Sequence, residues 1–197
     1  MPTRPRPPGA ILGSHIILMG YGHWLPNDPR GSASTIVTSE PLRALGPTHP
    51  SKRSTKPSEV DLRSFHEQAS RALLHPVLWF ESAHCEIIAQ AIKKLVIDFG
   101  YTCWALSILR NHIHVVIRTH RDRTPLITDR LMSVTRDALH ESNLAPRSHP
   151  IWNGRPHWVF IRSSRQLEQC VHYVEQNPVK AGLLSQRWSF VRRRSLL

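Results

Sequence analysis

The sequence is poor in cysteine and has no long apolar run. Its three cysteines, Cys85, Cys103 and Cys170, are far apart and form no Cys-x-x-Cys pair. This pattern argues against a disulfide framework and against a structural zinc site, and it favours a reducing cytosol. The apolar run at residues 16–19 is too short for a signal-peptide core or a membrane span. We therefore expect a soluble, cytoplasmic protein with no membrane partner.

Acidic residues are also scarce relative to basic ones. Lys and Arg number 26 against 14 Asp and Glu, which gives a formal net charge of +12 and a pI near 10.8. Phosphate binding by counterion release requires a basic excess of this kind, so we expect a polyanionic partner. The 197 residues suit one domain with its own core. We place this domain at 11–190, between a disordered basic arm at 1–10 and a basic tail at 191–197.

Hydrophobic periodicity predicts an α+β domain, with helices on one face of an antiparallel sheet. A stretch at 25–57 has little periodicity and is predicted to be a loop insertion. Strands are predicted at 11–19, 77–80, 101–109, 111–118 and 151–161. Helices are predicted from 58 to the residue before Pro76, at 82–99, at 125–142, and after Ser163.

Two of these strands, 101–109 and 111–118, are close enough to form a hairpin, which we place at the centre of the sheet. In the first strand, Trp104, Leu106 and Ile108 share one face by alternation. In the second, one face carries the side chains of His112, His114, Val116 and Arg118. Two histidines on one face of a strand can hold a single metal ion.

A lone tyrosine lies on the last predicted helix. The apolar stripe of that helix is formed by Leu167, Cys170, Val171 and Val174. Tyr173 flanks the stripe one turn before Asn177, and Pro178 is expected to end the helix. The Asn177 amide oxygen can then lie near the Tyr173 hydroxyl and bind a metal, with Gln176 as the alternative ligand. Without a metal, Tyr173 would bridge helix and sheet, and Asn177 would satisfy backbone groups at the helix end.

The two motifs together resemble those of the HUH superfamily of single-strand nucleases, and within it the REP-associated tyrosine transposases. His-Ile-His at 112–114 resembles the histidine, hydrophobic, histidine motif of that family. The run Tyr-Val-Glu-Gln-Asn-Pro-Val-Lys-Ala-Gly-Leu from Tyr173 is similar to its tyrosine, Asn-Pro and Ala-Gly run. The resemblance covers roughly residues 76–190, and residues 21–31 are similar to an N-terminal element found in part of the family. Arg110 departs from the pattern, since the family often has proline there.

The resemblance implies a ferredoxin-like sheet with the histidine motif on a central strand. It also implies that His112, His114 and Asn177 bind a divalent ion, and that Tyr173 is the nucleophile that forms a 5′-phosphotyrosine link and leaves a free 3′-hydroxyl. A tyrosine hydroxyl keeps its proton until about pH 10, so attack on phosphorus needs a divalent ion as electrophilic help. Imidazole and amide ligands without a thiolate suit Mg²⁺ or Mn²⁺.

Arginines near these motifs are the predicted phosphate contacts, because a guanidinium can bind two phosphate oxygens at once. They are Arg118, Arg121, Arg123, Arg155 and Arg162. Trp24 either stacks on an unpaired base or packs against its proline neighbours. The other tryptophans, mostly expected in the core, are numerous enough to include a second stacking platform; these are Trp79, Trp104, Trp152, Trp158 and Trp188.

The predicted function is a transposase: a metal-dependent endonuclease and strand transferase acting on single-stranded or hairpin DNA, as a monomer or a homodimer. One alternative is a derived binding protein that recognises hairpin or single-stranded DNA without cleaving it. Another is a metal hydrolase that uses a water nucleophile. The metal hydrolase is the weakest of the three candidates. In hydrolase sites with His-x-His an aspartate and a histidine usually follow, whereas here Val116 and Ile117 follow.

Overall fold

The centre of the fold is a four-stranded antiparallel sheet. The computed structural model describes residues 10–32, 36–37, 39–49, 57–154 and 156–192. The strands are β1 (Gly13–Met19), β2 (Cys103–Ile108), β3 (His112–Arg118) and β4 (His157–Ile161), in the order β2-β3-β1-β4. All neighbouring pairs are antiparallel. The predicted α+β class is confirmed, and the His-Ile-His motif lies on a central strand.

The helices fall close to their predicted positions. They are α1 (Glu40–Arg43), α2 (Glu59–Ala72), α3 (Ser82–Asp98), α4 (Thr124–Glu141) and α5 (Ser164–Lys180). The Ser58 hydroxyl caps α2 by accepting from the Asp61 N–H. The short helix α1 lies within the stretch predicted to be a loop insertion. Residues 77–80 form no strand; the Phe80 N–H instead donates to the Arg110 carbonyl in the turn after β2, at 2.7 Å.

Both faces of the sheet are covered, because alternate side chains of the strands are apolar on each side. On one face, Ile16 and Val115 belong to the main core, which α3 and α4 complete. On the other face, Val116 packs with Leu167 and Val174 of α5. The expectation that the helices share one face therefore holds for α3 and α4 but not for α5. The reason is the apolar stripe of α5, which covers the part of the histidine face that carries Val116.

The hairpin of β2 and β3 is not the centre of the sheet, because β1 pairs with the far side of β3 and leaves β2 at the edge. A bulge between Cys103 and Ala105 shifts the register of β2. It places Trp104 against the α5 cluster, not on the face of Leu106 and Ile108 as simple alternation predicted. The exposed edge of β2 is covered by Gln186, whose side-chain amide bonds both the N–H and the carbonyl of Ile108.

Helix α5 continues past Pro178, which the sequence had marked as its end. Pro178 has no N–H to donate to the Val174 carbonyl, and its ring crowds that carbonyl, but only two helical residues follow it. The Ala181 N–H still donates to the Asn177 carbonyl, and the Leu183 N–H donates to the Pro178 carbonyl at 2.8 Å. The helix ends at Lys180, where Gly182 takes a left-handed conformation with φ 74°.

The predicted terminal segments fall mostly outside the described residues. Of the arm at 1–10 only residue 10 is described, and of the tail at 191–197 only residues 191 and 192. The Arg192 N–H donates to the Cys103 carbonyl of β2 at 2.8 Å. Within the described part of the chain, no helix is both long enough and apolar enough to cross a membrane.

Candidate active site

Two histidine side chains meet near the start of β3. The Nε2 atoms of His112 and His114 are 3.0 Å apart, and their rings are nearly perpendicular, with centroids 4.8 Å apart. The Nδ1 atom of His112 lies 2.6 Å from Oδ1 of Asn111. His114 is only 3% exposed. The alternation of β3 predicted this pairing, and the structure brings the two imidazoles together on one face.

Burial keeps both imidazoles uncharged. It lowers the pKa of His112 to about 4, with a further contribution from His23. It lowers the pKa of His114 to about 3, with added repulsion from His112 and His15. Both groups are therefore neutral at neutral pH, and neutral imidazole is the form that binds a metal.

Tyr173 of α5 lies against this pair in the same chain. Its ring centroid is 5.6 Å from that of His114, edge to face. The side chain is 45% exposed, so a substrate can reach it. The Lys180 ammonium, two turns further along the helix, is 5.8 Å from the Tyr173 ring centre. The spacing of Tyr173 and Lys180 on one helical face is the sequence signal that could have identified this lysine.

Asn177 is buried one turn beyond Val174. The residue is only 8% exposed, and the Nδ2 atom of its side chain has no hydrogen-bond partner among the described residues. Val174 packs on Val116, and α5 starts after β4 at the Arg118 end of the sheet. Asn177 follows Tyr173 by four residues, about one helical turn, so the two side chains lie on the same side of α5. The unpaired Nδ2 group is a hydrogen-bond donor, so an acceptor such as a phosphate oxygen, and not a metal ion, would remove the cost of burying it.

The spacing of the two imidazoles suits a shared metal ion. Two ligand atoms about 2.1 Å from an ion and at right angles to one another are about 3.0 Å apart. This matches the 3.0 Å between the Nε2 atoms of His112 and His114. The described residues contain no group of three or more His, Cys, Asp or Glu side chains that could hold a metal. Asn177 is the predicted third ligand, and it would bind through the Oδ1 atom of its amide.

A third histidine, His15, contacts the pair and was missed from the sequence. Its Nε2 atom is 2.9 Å from Nδ1 of His114, and its ring centroid is 6.1 Å from that of Tyr173. Burial, with repulsion from His157, lowers the pKa of His15 to about 4. The sequence predicted a strand at 11–19 but gave His15 no role. The signal was the alternation of β1, since Ile16 and Leu18 face the main core and His15 must face the other way.

The predicted arginines lie away from the histidine pair. Arg118 ends β3, six residues or about 20 Å from His112 at a strand rise of 3.3 Å. Gly13 pairs with both Arg118 and Ile161, so Arg162 lies at this same end of the sheet. We call this region the basic end; it comprises the exposed residues Arg118, Arg121, Arg123 and Arg162. A cavity of about 280 Å³ there is lined by Arg118 and Arg123 among others. Arg155 lies outside the described residues.

The tryptophans differ in how much ring they expose. Trp24 donates its indole N–H to the Gly31 carbonyl at 3.0 Å, and the Arg30 guanidinium covers its ring at 4.2 Å. Trp79 is 50% exposed and packs edge-on against His23, with ring centroids 4.4 Å apart. The Arg110 guanidinium, in the turn before β3, is 5.7 Å from the centre of the Trp79 ring. The remaining tryptophans with buried or half-buried rings in the hydrophobic clusters are Trp104, Trp152, Trp158 and Trp188.

Comparison with known proteins gives matches among solved structures. No protein-family model matches the chain, and no curated protein does. The chain is similar to a REP-associated tyrosine transposase bound to a REP hairpin, with TM-score 0.47 and 16% identity over 95% of this chain and 81% of the other. It is also similar to a proposed transposase from Deinococcus radiodurans R1, with TM-score 0.40 and 10% identity over 88% of this chain and 96% of the other. With similarity this distant, function has to be inferred from the residues of the chain itself.

Proposed function

We propose that the protein is a single-tyrosine transposase: a metal-dependent endonuclease and strand transferase that acts on single-stranded DNA. The observation that supports this most directly is the contact between an exposed tyrosine and a buried, neutral histidine pair. The ring centres of Tyr173 and His114 are 5.6 Å apart within one chain. A protein that only binds DNA has no need of a nucleophile beside two metal-binding imidazoles.

In the proposed reaction, the Tyr173 hydroxyl oxygen attacks a phosphorus atom of the DNA strand, and the bond from phosphorus to the 3′ oxygen breaks. The tyrosine loses its proton, and the departing 3′ oxygen gains one. The 5′ phosphate remains esterified to Tyr173. Because the ester keeps the energy of the broken bond, the free 3′-hydroxyl can attack it and rejoin strands without ATP. The Lys180 ammonium, 5.8 Å from the centre of the Tyr173 ring, places positive charge beside the nucleophile.

His112, His114 and Asn177 are the proposed ligands of a divalent ion, Mg²⁺ or Mn²⁺. Two properties of the chain support this: the 3.0 Å spacing of the imidazole nitrogens and their neutral form. The choice of Asn177, through its Oδ1 atom, rests on the resemblance of the run from Tyr173 to Leu183. When bound, the ion would polarise the non-bridging phosphate oxygens and so favour attack at phosphorus. The part of the protein is to keep the imidazoles neutral and to hold Tyr173 next to them.

The proposed substrate is single-stranded DNA next to a hairpin. The net charge of +12 and the basic end favour binding of a phosphate backbone. Trp79, half exposed and packed against His23, offers a ring on which an unpaired base can stack. The preference for hairpin-flanked repeats rests on the resemblance of the motif from Tyr173 to Leu183 to that of REP-associated tyrosine transposases.

A covalent-adduct assay tests this function. The protein is incubated with end-labelled single-stranded oligonucleotides taken from repeats that flank its own gene, with Mn²⁺ or with a chelator, and run on a denaturing protein gel. We expect a labelled protein band that needs Mn²⁺ and is absent for Tyr173→Phe. Tyr21→Phe is the matched control and keeps the band, since the Tyr21 hydroxyl only accepts a bond from the Leu74 N–H.

The same assay separates the alternatives. If hairpin DNA binds tightly in a gel-shift experiment but no adduct forms, the protein is a non-cleaving DNA-binding protein and not a transposase. Metal-dependent cleavage that persists in Tyr173→Phe would point to a water nucleophile, and so to the metal hydrolase.

A further inference from the structure

We propose that His15 is a positioning residue, which accepts a hydrogen bond from Nδ1 of His114 and so directs the lone pair on Nε2 of His114 toward the metal ion. This inference rests on the proposed function, in which His114 is a metal ligand. Its basis is the 2.9 Å contact between Nε2 of His15 and Nδ1 of His114. The contact joins two central strands, since His15 lies on β1 and His114 on β3.

The position of His15 suits this role. Ile17, two residues along β1, pairs directly with His114, so His15 reaches it diagonally across the strand pair. His15 is 9% exposed, and its ring lies 5.0 Å from that of His114 at an angle of 31°. A neutral imidazole has one N–H and one lone pair, so His15 can accept a hydrogen bond at Nε2 when its proton is on Nδ1.

Metal binding dictates which nitrogen of each ligand carries the proton. An imidazole that binds through Nε2 carries its proton on Nδ1, and that N–H needs an acceptor that fixes the ring. For His112 the acceptor is Oδ1 of Asn111, at 2.6 Å. For His114 it is His15, which must then carry its own proton on Nδ1 and offer the lone pair of Nε2.

Without the ion, the same atoms require the opposite tautomers. Because His112 donates from Nδ1 to Asn111, its Nε2 accepts, and the 3.0 Å contact needs an N–H on Nε2 of His114. Nδ1 of His114 is then an acceptor, and His15 donates to it from Nε2. Ion binding would therefore move the proton of His114 to Nδ1 and that of His15 also to Nδ1. Both rings stay neutral, and the number of protons is unchanged.

Substitutions at position 15 test the hydrogen bond. His15→Gln places an amide oxygen near the position of Nε2 and keeps an acceptor, whereas His15→Leu keeps bulk without one. We expect Mn²⁺ to bind about 10- to 100-fold more weakly to His15→Leu, as when an outer-shell partner is lost, and His15→Gln to bind nearly as the wild type does. Affinity is measured by titration calorimetry or Mn²⁺ electron paramagnetic resonance, with thermal melting to establish that each variant is folded. His157→Gln, which removes the neighbouring imidazole, is the matched control.

The outcomes distinguish this inference from the function on which it rests. If His114→Leu abolishes Mn²⁺ binding but folded His15→Leu binds as tightly as the wild type, the role of His15 is refuted and the metal site stands. If the wild type shows no saturable Mn²⁺ binding, both are refuted.

A second measurement needs no substitution. Long-range proton–nitrogen correlation spectra of the ¹⁵N-labelled wild type report the protonated nitrogen of each histidine. With Zn²⁺ as a diamagnetic probe, we expect the proton of His114 to move from Nε2 to Nδ1 and that of His15 to move from Nε2 to Nδ1. A proton that stays on Nε2 of His15 when Zn²⁺ is bound would overturn the inference, because His15 could not then accept from His114.

Discussion

Three buried imidazoles, those of His15, His112 and His114, make the metal-free protein sensitive to acid. Their pKa values lie at about 3 to 4 in the folded chain, below the ordinary value of 6.5. Between about pH 4 and pH 6.5, the unfolded chain binds protons at these histidines that the folded chain does not bind. The stabilisation from keeping these groups neutral is therefore fully present above pH 6.5 and is lost as the pH falls toward 4.

Replacing one of these residues should flatten that dependence. We expect His114→Asn to lower the slope of the unfolding free energy against pH, near pH 5, by about 1.4 kcal/mol per pH unit, which corresponds to one proton fewer taken up on unfolding. Urea unfolding with a chelator present, at several pH values between about 5 and 7.5, measures the slope. His172→Asn, at an exposed position of α5, is the control for loss of an imidazole. An unchanged slope for His114→Asn would show that His114 is not held neutral.

Trp79 is the second residue for which the structure gives a specific expectation. Its half-exposed ring beside His23 should stack on an unpaired base, and loss of such stacking costs about 1–3 kcal/mol. We therefore expect Trp79→Leu to weaken binding of single-stranded DNA about 5- to 150-fold, measured by fluorescence anisotropy in one salt concentration. Trp24→Leu, tested beside it, should affect stability more than affinity, since Arg30 covers the Trp24 ring. If Trp79→Leu bound single-stranded DNA as tightly as the wild type, Trp79 would not be part of the DNA interface.

The residues of the site divide into those that local pattern reveals and those that it does not. His112 and His114 share a face because a strand alternates, and Tyr173 and Asn177 share a face because a helix repeats; both rules act over a few residues. His15 is 99 positions from His114, so no short pattern connects the two. Their contact depends on β1 pairing with β3, which the local pattern of neither strand predicts.

At the scale of elements, the C-terminal end of α5 tests how the helix stops. Gly182 has a φ of 74°, and a Cβ added there would meet no atom within 4 Å, so conformational strain alone opposes a side chain. We expect Gly182→Ala to lower the unfolding free energy by about 1 kcal/mol. Gly154→Ala is the matched control, because Gly154 has equal space and no positive φ. Urea unfolding of both variants measures the difference. Similar losses of unfolding free energy in the two variants would contradict a left-handed conformation at Gly182.

The basic end of the sheet should be visible in the salt dependence of DNA binding. Each phosphate contact on a single strand adds about 0.7 to the slope of log affinity against log salt. We expect Arg118→Ala with Arg123→Ala to reduce the slope by about 1.4, measured by anisotropy over a range of salt concentrations. Arg136→Ala removes a charge on α4, whose apolar side packs on the opposite face of the sheet, and should leave the slope unchanged. If the double variant kept the slope of the wild type, the DNA would not contact the basic end.

The errors at this scale have a common physical origin. Helices and strands were found because their apolar repeats and caps are local, as in α2 with Ser58 and Asp61. The edge position of β2, the bulge beside Trp104 and the placement of α5 on the histidine face all depend on contacts between distant segments. Local pattern cannot specify those contacts, since several arrangements of the same elements bury similar apolar surface.

At the scale of the whole molecule, the sheet order β2-β3-β1-β4 is what assembles the site. It sets His15 of β1 beside His114 of β3 and leaves β4 to lead into α5, which returns Tyr173 to the same face. The tyrosine and the histidines therefore meet within a single chain. The function proposed above depends on this one arrangement, in which an accessible nucleophile lies next to a pair of potential metal ligands.

The most direct test of that arrangement is to locate the covalent link to DNA. The wild type is reacted with a cleavable single-stranded oligonucleotide and Mn²⁺, then digested with nuclease and trypsin, and the peptides are sequenced by tandem mass spectrometry. We expect a nucleotide 5′-phosphate on Tyr173, in the tryptic peptide at 166–180, where Tyr173 is the sole tyrosine beside the other nucleophiles Cys170 and His172. A nucleotide found on another residue, or cleavage that leaves every peptide unmodified, would contradict the assignment of Tyr173 as the nucleophile.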